Sequence, residues 1–148
     1  MKRMMNTLLS MLICTVLFST CFGATTVCAA PSGKIEIQLK DLNTAHSNKT
    51  GVTFKLYRVG TVLDSGEPVI DPVYGITEYP VTADETEQAV KKIKAALTGS
   101  AQASAATDAS GKAVLSGVAD GIYYIAADES NGYGIVEPLL VQIPYSVE

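Results

Sequence analysis

Cysteine is absent beyond residue 28. Cys14, Cys21 and Cys28 all lie in the first thirty residues, a stretch unlike the rest of the chain. Lys2 and Arg3 give it a positive start. An apolar run from Leu8 to Phe22 follows, and small residues lead to Val27-Cys28-Ala29-Ala30. Charge, apolar run and small-residue end make a secretory signal peptide. Val27 and Ala29 suit the −3 and −1 positions, so cleavage is expected after Ala29; a cut after Ala30 would put Pro31 directly behind the scissile bond. The apolar run is short for a membrane anchor, which needs about 20 residues. Neither Thr20 nor Val27 is the small residue that should precede a lipidated cysteine. Residues 1–29 are thus read as signal and 30–148 as the mature domain, and contact with membrane is expected only through an uncleaved signal. Without thiols, the mature chain has no disulfide, no cysteine zinc site and no cysteine nucleophile.

Histidine is nearly absent too. His46 stands alone in a polar loop with Thr44, Ser47 and Asn48, and one imidazole does not make a zinc site. Gly-x-Ser-x-Gly and metal-ligand spacings are missing. Asp128-Glu129 lacks the spaced oxygens of a calcium loop and reads as a turn beside a strand. No catalytic, cofactor-binding or metal residue is expected, and an enzyme would need a convergent reactive set. Basic charge is scarce as well. Removing Lys2 and Arg3 from the 11 basic residues leaves 9 against 15 acidic ones, a net charge of −6. That balance disfavours nucleic acid and anionic membrane as partners, since both require clustered Lys or Arg. Lys91, Lys92 and Lys94 read as the wet face of a helix.

Alternation is what the chain does have. Ile35, Ile37 and Leu39 alternate with Lys34, Glu36, Gln38 and Lys40, the pattern of a half-buried strand over 34–41. Asn43 to Gly51 is a polar loop. A second strand runs over 52–59, with Val52, Phe54 and Leu56 on one face. Short β-like pieces follow around Val62, Val69-Ile70 and Val73-Tyr74. One helix is predicted over about 84–98, capped by Thr82 or Asp84, with Val90, Ile93 and Leu97 at helical spacing and Gly99 at its end. Its narrow apolar stripe places it on the outside of the domain. Ser100 to Ser110 is small and polar and reads as a flexible crossing. Turns at Asp108–Gly111, Asp120-Gly121 and Ser130–Gly132 separate strands over 112–115, 122–127 and 139–143. Tyr123 and Tyr124 should straddle one strand, one inward and one outward, with Tyr133 under a turn. Short strands with regular Gly/Asx turns indicate a mainly β sandwich with one peripheral helix.

These residues also carry a resemblance. Ile-Glu-Ile-Gln-Leu-Lys-Asp (35–41), Gly-Val-Thr-Phe-Lys-Leu-Tyr-Arg-Val (51–59), Thr-Asp-Ala-Ser-Gly-Lys-Ala-Val-Leu (107–115) and Gly-Val-Ala-Asp-Gly-Ile-Tyr-Tyr-Ile (117–125) come in that order. Asn-Gly-Tyr (131–133) and Pro-Leu-Leu-Val-Gln-Ile-Pro (138–144) complete it. The series resembles the collagen-adhesin B-type, prealbumin-like domain of Gram-positive surface proteins. The helix and the 138–144 stretch are more similar to the N-terminal domain of sortase-assembled pilins. The resemblance implies an immunoglobulin-like or prealbumin-like sandwich serving as a structural or adhesive module of the cell wall or a pilus. It implies other pilin or surface-protein subunits as partners, with a host extracellular ligand or glycan besides. The alternative is a secreted sugar- or peptide-binding sandwich.

Many such domains join an inward lysine to an Asn or Asp side chain, with a carboxyl group moving the protons. The matching position for the lysine is Leu39, two residues before Asp41, and for the glutamate Ala127. Lys40 should point to solvent. An internal isopeptide bond is therefore not expected. The sorting motif Leu-Pro-x-Thr-Gly and the acceptor Tyr-Pro-Lys do not occur in these 148 residues. The resemblance also places a final strand about where the sequence stops. Three explanations are open: a truncated or remnant chain, which is preferred, a strand supplied by another chain, or a sheet already completed by Gly134 to Ile143.

Overall fold

The computed structural model describes residues 33–40, 48–128 and 132–144. The signal segment, His46, Asp41 and Glu129 lie outside the described residues. The strands are β1 (Gly33–Gln38), β2 (Thr53–Val62), β3 (Pro68–Ile70), β4 (Ala103–Ala106), β5 (Lys112–Val118), β6 (Gly121–Ala127) and β7 (Leu139–Ile143). One α-helix, α1, spans Ala83–Ala96, and a 3-10 turn spans Pro72–Tyr74. Among the described residues the fold is a mainly β sandwich with one helix, as the alternation predicts.

The two sheets are unequal. β1 and β5 pair alone as an antiparallel ribbon. The larger sheet runs β3-β2-β6-β7, and β4 shares the β3 edge by pairing with the first half of β2. Side-chain parity then decides which residues meet. Phe54 and Leu56 of β2 and Tyr123 and Ile125 of β6 point between the sheets, against Ala113, Leu115 and Val118 of β5. Val59, Ile122 and Tyr124 point the other way and are covered by α1 through Ile93. The larger sheet is thus packed on both faces. This is why Ile122-Tyr-Tyr-Ile reads as an unbroken apolar run, and all four residues are buried.

Glycines set two corrections of register. Gly117, at φ +73, opposes the irregularity between Gly33 and Lys34, and brings Val118 back to the core face after Leu115. Gly60 sits where β2 passes from β4 to β3. A Cβ there would lie 2.3 Å from the Val69 carbonyl oxygen, so only glycine lets β3 approach.

Helix α1 starts on a reciprocal cap. Thr82 Oγ1 accepts from the Glu85 amide at 3.3 Å, and the Glu85 carboxylate accepts from the Thr82 amide at 3.0 Å. Hydrogen bonds from the Val81 amide, the Thr82 amide and the Thr82 side chain hold the Glu85 carboxyl below its ordinary value. The helix begins at Ala83 and ends at Ala96, slightly ahead of the expected 84–98, because Leu97 already adopts an extended ψ of 112°.

Two expectations are corrected. Ser100 to Ser110 is no flexible crossing: Ala103–Ala106 forms β4, with Ala103 and Ala105 against the inter-sheet core. Its residues are too small to announce a strand, yet small size is what lets the segment lie against β2. Val73-Tyr74 is a 3-10 turn rather than a strand, since Pro72 opens it and Gly75, at φ +63, closes it.

Candidate functional site

Reactive groups are not gathered at the positions where chemistry was sought. Leu39 is buried in the inter-sheet core, and its amide donates to the Gly111 carbonyl at 2.9 Å. Ala127 packs against the same core from β6. Both positions matched to a reacting lysine and its proton-moving glutamate thus carry apolar side chains that face the interior. The Lys40 side is exposed. Asp128 pairs with Lys55 at 2.6 Å, and its amide donates to the Thr53 carbonyl. The hydrogen bond from Lys55 to the Asp128 carboxylate raises the Lys55 pKa. Among the described residues no group of three His, Cys, Asp or Glu side chains could hold a metal.

Tyr123 and Tyr124 are interior residues. Tyr123 is fully buried and its hydroxyl donates to the Ala119 carbonyl at 2.7 Å, which closes the turn before β6. Tyr124 is buried beneath α1 with its ring 6.2 Å from that of Tyr57. Burial raises both phenol pKa values. The lysines of α1 are spread over its wet side. Lys91 pairs with Glu87 one turn back, Lys92 donates to the Gly75 carbonyl, and Lys94 borders a cleft with Asp128, Ile135 and Glu137.

The unusual geometry lies along the β1–β7 side. The larger sheet is four strands wide and the smaller only two. β5 lies against β4, so the smaller sheet is stacked toward that side. β1 comes next, on the side of β7. Val141 and Ile143 of β7 and Ile35 and Ile37 of β1 all touch the core yet stay partly exposed. The chain contacts β1 at both ends of this side, here called the β1–β7 channel. At one end a Cβ on Gly33 would lie 3.4 Å from Ile143 Cγ2. At the other, the Tyr133 hydroxyl donates to the Lys40 carbonyl at 2.7 Å, so the chain leading to β7 bridges the end of β1.

The backbone of β1 is also half used. Leu39 donates to Gly111, and pairing with β5 alternates along an antiparallel ladder. Ile35, Ile37 and Leu39 therefore turn their main-chain groups toward β5, and Lys34, Glu36 and Gln38 turn theirs toward the channel. Among the described residues no strand pairs with that edge. Gly134 to Ile143 does not complete the smaller sheet, because its strand, β7, pairs with β6. Compared with protein-family models, curated proteins and solved structures, the chain matches none.

Proposed function

We propose that this chain is an exported, non-catalytic module of a Gram-positive cell-surface or pilus protein, structural or adhesive in role and without an internal isopeptide bond. The observation that carries the reading is that Leu39 is buried in the apolar core and partly buried Ala127 packs against it. A lysine ε-amine becomes nucleophilic when desolvation lowers its pKa beside an acceptor carbonyl. Leucine at that position offers packing and no amine. An acidic mature chain with its cysteines confined to an N-terminal signal-like segment supports export. The sandwich supports a mechanical or binding role, with shape complementarity in place of reactive groups.

The test has two parts. Expressed with residues 1–29 in a Gram-positive host, the protein is recovered outside the cytoplasmic membrane and begins at Ala30. Its intact mass equals the sum of its residues. Retention in the cytosol would contradict export, and a deficit of one ammonia or one water would reveal a cross-link.

A further inference from the structure

We propose that the β1–β7 channel is an acceptor site for a single extended strand of another polypeptide, apolar at every second residue. The inference deepens the reading above, because it names how such a module would hold a partner.

Two features select this occupant. The channel wall offers main-chain donors and acceptors at Lys34, Glu36 and Gln38, spaced two residues apart, which is the repeat of a paired strand. Its floor offers apolar side chains from both sheets, Ile35 and Ile37 on one and Val141 and Ile143 on the other. A strand laid along β1 would turn alternate side chains onto that floor and the others to solvent. This is strand addition at an open edge, with backbone bonds giving affinity and alternate pockets giving specificity.

β1 is six residues long, about 20 Å at roughly 3.3 Å per residue. The outward side chains of β1 favour a neutral or mixed partner, since Lys34 and Lys112 both pair with Glu36.

The experiment is a titration of the purified full chain, followed by amide NMR, with an eight-residue synthetic peptide of alternating Val and Thr. The control has the same composition with its valines grouped together. The alternating peptide is expected to bind saturably and to slow exchange of the Lys34, Glu36 and Gln38 amides at least tenfold. The control should do neither. In Glu36→Pro the lost amide faces the channel and the ladder to β5 is kept. This variant should remain folded by its β5 and β6 amide shifts and should bind at least tenfold more weakly.

Equal binding of the two peptides, or undiminished binding to the folded Glu36→Pro variant, would overturn the proposal. If that variant unfolds, Ile37→Lys, which charges the channel floor, supplies the same comparison: retained binding overturns the proposal and lost binding supports it. Protection that grows with protein concentration in the absence of peptide would assign the edge to a second copy, and would also overturn it. None of these results bears on export, which the fractionation experiment decides separately.

Discussion

β1 and β5 are the two strands of one ribbon, yet their core residues are buried to different depths. On β5, Ala113, Leu115 and Val118 are at most 2% exposed. On β1, Ile35 pairs directly with Leu115 and Ile37 with Ala113, and both isoleucines remain partly exposed. The side chains point to the same interior and are equally apolar. What differs is the neighbour. β5 has β4 beside it and the width of the larger sheet beneath it. β1 has a channel. Alternation thus chooses the face of a strand, and only the next strand decides whether that face is sealed.

The comparison can be broken by mutation, and the sealed region should respond most. Phe54→Ala removes a ring buried to 1% exposure in the inter-sheet core and is expected to cost about 3–5 kcal/mol in urea denaturation. A loss near 1 kcal/mol would mean that this region is loosely packed. Leu115→Ala and Ile35→Ala probe paired positions across the ribbon. The first should cost about 2–5 kcal/mol and the second roughly half as much, because less surface returns to water. Equal losses would erase the distinction between the two strands.

Thr107 tests the link that holds β4 and β5 to β2. It is buried, its Oγ1 accepts from the Val52 amide at 2.9 Å, and its hydroxyl donates to the Lys49 carbonyl. Thr107→Val keeps the shape and strands both partners, at an expected cost of about 1–3 kcal/mol in the same assay. The smallest effect belongs to the exposed face of the ribbon. Glu36 accepts from Lys34 and Lys112, and these hydrogen bonds lower its pKa from 4.5 to about 2. A depressed carboxylate stabilises the fold above its unfolded pKa, and that contribution is lost as pH falls through the folded value. The melting temperature of Glu36→Gln should therefore fall less steeply than that of the unsubstituted chain between about pH 4.5 and 2. Parallel curves would show that the ion pairs contribute nothing there.

Much of this architecture is legible in the residue order. Phe54 and Leu56 mark the inner face of β2 by period two, and Tyr123-Tyr124 straddle β6 as their adjacency requires. Thr82 and Glu85 announce the start of α1, and Val90, Ile93 and Leu97 its buried stripe. β4 was hidden because Ala and Ser carry little strand preference and resemble a linker. The channel was legible only in part. The pattern of β1 places Ile35 and Ile37 inward, but a single strand's sequence says nothing of what lies beside it. That information resides in the pairing of β7 with β6, a contact between segments distant in the chain.

The account rests on the open edge of β1, and hydrogen exchange measured amide by amide on the chain alone tests it most directly. The amides of Ile35, Ile37 and Leu39, bonded to β5, should exchange slowly. Those of Lys34, Glu36 and Gln38, facing the channel, should exchange at least tenfold faster. Uniformly slow exchange along all six residues would contradict the account, because it would mean that the edge already has a partner.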